Sequence, residues 1–344
     1  MSYFRPNIEA LSGYVPGEQP QTSGFVKLNT NENPYPPSPK ALEAIRRAAS
    51  ERLRLYPDPV ATAFRNAASE ALGVPADWIV ACNGSDDALT ILTRACLSSD
   101  DLLVAPTPSY GLYRVLADIQ GCRFEERDWT PGGGLSEDFC RGAKLAMVPN
   151  PNSPTGTMVR PEGLLELARR SEGLLVVDEA YVDFADRSCV PLVAECERLV
   201  VTRSLSKSYA LAGARFGFLV AQPHLAATFL KVKDSYNTDA VSIAAAAAAI
   251  LDREHFEATR AKILATRRRL EGALADLGFD VTPSHANFVW ARRKTPLEPV
   301  YRGLKDRNIL VRYFRYERHG EGLRISVGTD SEIDQLLAAL REML

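Results

Sequence analysis

The residues best suited to chemistry stand together at Ser204-Leu205-Ser206-Lys207-Ser208-Tyr209-Ala210-Leu211-Ala212-Gly213-Ala214-Arg215, directly after the apolar run Leu199-Val200-Val201-Thr202. A lysine among small residues loses solvation. Its pKa falls, and the neutral amine becomes a nucleophile able to condense with an aldehyde. Two hydroxyls and a guanidinium close by suit a phosphate. Aldehyde and phosphate on one small molecule describe pyridoxal phosphate. Taken alone, the stretch fits a surface lysine beside a serine loop equally well.

A second segment tips that balance. Gly173-Leu174-Leu175-Val176-Val177 reads as a buried parallel strand ending in Asp178-Glu179-Ala180-Tyr181. Strand C-termini face the ligand crevice in open α/β sheets. A carboxylate there can hold the proton on a pyridine nitrogen, and Tyr181 can donate to a phenolic oxygen. Asp178 by itself also fits a helix N-cap. Other strand ends carry further candidates. Gly84-Ser85-Asp86 opens a helix whose free N–H groups suit a phosphate. Tyr110 follows another strand and can stack on a planar ring. Asn150-Pro151-Asn152-Ser153-Pro154-Thr155-Gly156 brings amides and a hydroxyl to a third, although turn chemistry explains most of that run. Near the C-terminus, Arg312 and Arg324 offer forks for a carboxylate or phosphate, and strand alternation puts Arg324 on one face with Ser326.

Behind these positions the pattern alternates between strand and helix from Trp78 to Val220. The expected strands are Trp78–Cys82, Leu102–Ala105, Arg123–Arg127, Leu145–Val148, Leu174–Val177, Leu199–Thr202 and Phe216–Val220. Such alternation predicts an α/β fold: a mostly parallel seven-stranded sheet flanked by helices. Beyond it come an Ala-rich helix at Asp239–Leu251, a long charged helix at Glu254–Leu277, strands at Asn287–Ala291 and Leu323–Val327, and a closing helix at Ser331–Leu344. The expected organisation is an extended arm at 1–40, a large domain at 41–238 and a smaller α+β domain at 239–344. A helix is expected to start at Ser38-Pro39 and run through Ala41 to Arg52.

Composition narrows the class. The 344 residues are 46% hydrophobic and 24% charged with a net charge of −2, which suits a globular enzyme and gives no footprint for nucleic acid or anionic membrane. The six cysteines lack CxxC spacing and suit a reducing cytoplasm. The four histidines have no metal-ligand spacing, so no metal is expected. The N-terminus lacks an apolar signal core, and the longest apolar stretch, Ile243 to Leu251, is too short to span a bilayer.

Together these residues resemble the fold-type I pyridoxal-phosphate aminotransferases, and most closely the histidinol-phosphate aminotransferase family. The resemblance also covers Leu11 to Gly17, Lys27 to Pro34 and Leu55 to Pro59, and it runs nearly end to end. It implies that Lys207 bonds covalently to the cofactor and shuttles a proton, that Asp178 pairs with the ring nitrogen, and that Tyr181 contacts the phenolic oxygen. It implies Gly84, Ser85, Asp86, Ser204, Ser206 and Arg215 around the phosphate, with Tyr110 on the ring. Tyr56 is implied to reach the phosphate of the neighbouring subunit of a homodimer. Arg324 is implied to bind the carboxylate of glutamate or 2-oxoglutarate, while Tyr14, Asn33 and Arg312 serve the other substrate. The family often has asparagine where Ser153 stands, so either Ser153 or Asn152 supports the phenolic oxygen. Ser208 and Ala214 also depart from the usual residues and read as packing variation. An aromatic aminotransferase or an L-threonine-O-3-phosphate decarboxylase would carry the same cofactor motifs. A non-catalytic regulator would need an N-terminal DNA-binding module, where this chain has only a Pro-rich arm.

Overall fold

The computed structural model describes residues 2–130 and 134–344; Met1, the first residue of the expected arm, lies outside them. After a two-residue strand, β1 (Val26–Lys27), seven strands build the central sheet: β2 (Ile79–Cys82), β3 (Leu102–Thr107), β4 (Arg123–Asp128), β5 (Leu145–Pro149), β6 (Leu174–Asp178), β7 (Leu199–Ser204) and β8 (Gly217–Val220). Their order is β2-β8-β7-β6-β5-β3-β4. The pairs from β4 to β7 are parallel, and β8 runs antiparallel to both β7 and β2. All seven expected strands are present. Most extend one or two residues past their expected C-terminal ends, towards the same edge of the sheet.

The apolar runs are continuous because both faces of the sheet are covered. Val177 and Val201 point into one core with Phe64, Phe216 and Phe218. Their neighbours Val176 and Val200 point into the other with Leu89, Leu103 and Met147. The Ala-rich helix, Ala240–Leu251, is capped by the Asp239 carboxylate accepting from the Ser242 amide at 2.8 Å. Its Ile243, Ala245, Ala246, Ala249 and Ile250 join the first of these cores. The expected boundary after residue 238 assigned this helix to the smaller domain. Its buried face packs into the core of the larger one instead.

The smaller domain carries β9 (Asp280–Thr282), β10 (Phe288–Arg292), β11 (Ile309–Leu310), β12 (Arg312–Tyr316) and β13 (Gly320–Ser326). Four of them form an antiparallel sheet in the order β12-β13-β10-β9. Helices Glu298–Asp306 and Asp330–Met343 and the end of Arg253–Asp276 supply its core with Leu270, Leu304, Ile333 and Leu336.

Part of the expected arm is a packed element. β1 pairs in parallel with β11, and Leu28, Asn29 and Asn31 are almost fully buried. Further back, Pro6–Glu9 forms a helical turn tied to the larger domain by Asn7 Nδ2 donating to the Asp118 carbonyl at 2.6 Å. The helix begun by Ser38 ends at Ala48, short of Arg52, and a separate 3-10 turn follows at Glu51–Arg54.

One close approach ties β8 to the edge where the strand ends gather. Gly217 pairs with both Cys82 and Ser204. A methyl group on it would lie 2.6 Å from the Gly84 carbonyl carbon and the Ser85 nitrogen. Gly217→Ala is therefore expected to destabilise the protein by about 1–3 kcal/mol, read as a lower urea midpoint at unchanged slope.

Candidate active site

At this edge a cavity of about 300 Å³ opens between the two domains. The ends of β2, β6 and β7 line it with Ser85, Asp86, Asp178, Tyr181, Ser204, Ser206 and Lys207. The smaller domain adds Arg312 and Arg324, and the arm adds Tyr14, Pro16, Gly17, Gln19, Thr30 and Glu32.

Lys207 follows β7 in a loop without regular structure. Its Nζ donates to the Thr30 carbonyl at 3.1 Å and lies 6.0 Å from the centre of the Tyr181 ring. Burial lowers its pKa from 10.5 to about 8, and Arg324 adds to the shift; Glu32 and Asp86 oppose it. A substantial neutral fraction at pH 7–8 is what an amine nucleophile requires.

Asp178 closes β6 at 4% exposure. It accepts from Tyr113 Oη at 3.0 Å, Thr202 Oγ1 at 3.2 Å and the Ala180 amide at 3.3 Å. These are neutral donors, and burial pushes the carboxyl up from 3.8 to about 6. A desolvated carboxylate bonded to no cation is a receptor for a cationic N–H on a bound ring. Tyr181 stands beside it. Its hydroxyl accepts from Asn31 Nδ2 at 3.0 Å, and its ring edge meets Phe288.

The phosphate candidates converge. Gly84, at φ 86°, turns the chain from β2 into the helix Ser85–Cys96, directing that helix's N-terminal amides at the cavity. The Arg215 guanidinium lies so close to Gly84 that a Cβ there would sit 2.8 Å from Nη2. Arg215 Nη1 donates to Ser206 Oγ at 3.3 Å. Tyr110 forms part of the cavity wall, donating to Asp86 Oδ1 at 3.2 Å and meeting the Tyr14 ring edge-on at 5.5 Å. Lysine, buried acid, phosphate cradle and aromatic wall fit a flat aldehyde-bearing ring with a phosphate at one side.

Two arginines define the opposite wall. They are register partners across β12 and β13. Arg324 donates to Ser153 Oγ at 2.9 Å and to the Asn29 carbonyl at 3.0 Å, between the rings of Phe288 and Phe314. Arg312 donates to the Val15 and Pro16 carbonyls at 2.8 and 3.1 Å. Like charges directly opposite on paired strands repel, so the pair is best satisfied by anions bound between and beside them.

Three expected site residues stand elsewhere. Asn152 spends its amide NH2 on loop contacts, donating to Thr155 Oγ1 in its own loop and to the Pro108 carbonyl after β3; of the two rivals for that role, Ser153 is the one on the cavity wall. Asn33 donates to the Ser208 carbonyl at 3.0 Å and so braces the lysine loop from outside the cavity. Tyr56 is 80% exposed, stacked on Tyr236, and lies away from the cavity of its own chain. Conversely, Tyr113 and Thr202, which hold Asp178, carried no signal in the sequence beyond their places in a helix and a strand. Glu32, ion-paired with Lys27, was visible only as part of the Asn-Glu-Asn-Pro run.

The chain belongs to the class I and II aminotransferases, whose family model matches residues 23–340. Within that class its curated relatives include histidinol-phosphate aminotransferases. The one from Rhodopirellula baltica is 49% identical over 99% of this chain and 96% of its own length, and one from Trichormus variabilis is 45% identical over 100% and 99%. The crystal structure of the Sinorhizobium meliloti histidinol-phosphate aminotransferase in complex with pyridoxal-5'-phosphate superposes with a TM-score of 0.89 at 26% identity, covering 100% of this chain and 99% of that one.

The Asp178 carboxyl gives a stability signature. Its folded pKa lies above its unfolded one, so it favours the fold at low pH and that contribution is lost as pH rises from 3.8 to about 6. In the cofactor-free protein, Asp178→Asn is therefore expected to gain up to about 3 kcal/mol at pH 7, with the gain gone by about pH 4. Urea unfolding across pH reads both values.

Proposed function

We propose that this chain catalyses transamination between L-histidinol phosphate and 2-oxoglutarate, giving imidazole-acetol phosphate and L-glutamate in histidine biosynthesis, with pyridoxal 5'-phosphate as cofactor. The supporting observation is the union in one cavity of a desolvated lysine, a buried uncompensated carboxyl and two facing arginines, in a chain 43–49% identical to enzymes of that name. We further propose a cytoplasmic homodimer in which Tyr56 of one copy completes the phosphate site of the other. Tyr56 is exposed and outside its own cavity, and the six cysteines are unpaired.

When bound, the cofactor supplies an aldehyde that takes up the amino group and a ring that spreads the charge left at the substrate Cα. Lys207 would hold that aldehyde between turnovers and, once released, would move the proton at the substrate Cα. Asp178 would keep a proton on the ring nitrogen, and the positive charge there would offset the burial of its own carboxylate. Tyr181 donates to the phenolic oxygen. Ser85, Ser204, Ser206 and Arg215 would hold the phosphate at the helix N-terminus, and Tyr110 would wall the ring. Arg324, braced by Ser153, takes the substrate carboxylate. Arg312 and Tyr14 take the phosphate of the other substrate, and the arm from Tyr14 to Gln19 keeps water out.

Mixing purified protein with histidinol phosphate and 2-oxoglutarate should release glutamate much faster than phenylalanine or tyrosine does as donor. A preference for phenylalanine, or carbon dioxide release from threonine phosphate, would overturn the substrate assignment and leave the cofactor site intact. Lys207→Ala should lower kcat by about 10⁴-fold or more, because covalent and acid–base roles vanish together. Arg312→Leu should raise the KM for histidinol phosphate by about 10–100-fold, the worth of a charged hydrogen bond. Its KM for glutamate should change much less.

A further inference from the structure

Behind Lys207 lies a buried ionic cluster that the mechanism above does not use. Arg203, in β7, is 7% exposed; its guanidinium is ion-paired with Asp183 and stands 3.5 Å from Glu179 Oε2. Asp183 belongs to the 3-10 turn Val182–Phe184, which begins directly after Tyr181. Its Oδ1 takes Arg203, and its Oδ2 accepts the hydroxyl of Ser208, the residue next to Lys207. Its backbone carbonyl accepts Arg260 Nε at 2.6 Å, and Arg260 Nη2 reaches the Ala185 carbonyl at 2.9 Å. Asp183 thus joins β7 and the loop carrying Lys207 through its carboxylate, and the long helix Arg253–Asp276 through its backbone carbonyl and Arg260, all at the turn that directly follows Tyr181.

The lysine loop needs such a hold. Apart from the 3-10 turn Ala212–Ala214 it is irregular, and two of its non-glycine residues, Ala210 at φ 56° and Arg215 at φ 50°, adopt the left-handed conformation. Strained residues persist only where their surroundings over-determine them. From outside the cavity the loop is bonded at Ser208 twice, by its hydroxyl to Asp183 and by its carbonyl to Asn33. Ser208 is thus more than a packing variant.

We propose that Asp183 is a positioning residue for Lys207, acting through the Ser208 hydroxyl to fix the angle at which the lysine amine meets the cofactor and the substrate Cα. The inference rests on the role given to Lys207 above. It predicts that losing the hydroxyl slows proton transfer rather than binding, because Asp183 touches no substrate or phosphate group.

The test uses the holoenzyme with Ser208→Ala, Ser208→Thr and Asp183→Asn. Four quantities are measured: kcat and KM for glutamate, the isotope effect on kcat with α-deuterated glutamate, the visible circular dichroism of the bound cofactor, and the urea midpoint. Ser208→Ala should lower kcat by about 3–30-fold, part of the worth of one hydrogen bond to a charged group because the contact acts on Lys207 indirectly, with KM nearly unchanged. Its isotope effect should rise and its dichroism band should change. Ser208→Thr, which keeps the hydroxyl, should recover most of the rate. Asp183→Asn should move the same quantities further. Should Ser208→Ala and Asp183→Asn lower the urea midpoint yet keep the wild-type isotope effect and dichroism, Asp183 is structural only and the proposal falls. A wild-type protein that takes up no cofactor on Lys207 would overturn the role of Lys207 itself, and this proposal with it.

Discussion

Removing two ionisable groups from water at one edge of one sheet is the constraint on which the rest of this protein depends. Burial pushes the Lys207 amine down to about 8 and the Asp178 carboxyl up to about 6. Desolvation always opposes the charged form, so a base and an acid buried in the same cavity move towards each other across neutral pH. Both are left without a compensating ion pair, and that is what keeps them available to a ligand. Keeping them apart takes a rigid frame. Asp178 ends a strand covered on both faces and is held by three neutral donors, while Lys207 follows the neighbouring strand and leans on the arm.

That frame explains several features with no chemistry of their own. Gly217 lets β8 run against β7 and β2, bringing Arg215 to the helix start at Gly84. The arm strand β1 pairs with β11 and so carries Thr30 and Glu32 to the lysine. Arg203, Asp183 and Glu179 are buried charges of the opposite kind: both carboxylates are paired with the one guanidinium. The same protein thus uses ion pairing where a fixed shape is required and withholds it where reactivity is required.

Much of the site was legible because its residues sit at strand ends, and strand ends are marked by the change from an apolar run to turn residues. Lys207, Asp178, Tyr181, Arg215 and the Gly84-Ser85-Asp86 turn all stand out in that way, and the geometry brings all of them together. Asn33 and Asn152 stand out too, yet both amides are spent within loops. A side chain's direction in a turn depends on local dihedrals that composition does not encode. Tyr113 and Thr202 carry no such mark for the converse reason. Each sits inside a regular element among apolar neighbours, and only the packing of that element turns its hydroxyl onto Asp178.

Local pattern along the chain specifies the alternation of strands and helices, hence the layered α/β core, and the groups at the ends of those strands. Periodicity and turn chemistry are local, and local rules suffice for both. Long-range packing sets the rest: the Ala-rich helix joins the larger domain, part of the arm is a strand of the smaller one, and Arg312 and Arg324 face each other across a ladder. Those outcomes turn on which apolar face finds which partner. That choice is set by shape and burial between segments far apart in the chain, information that no stretch of neighbouring residues contains.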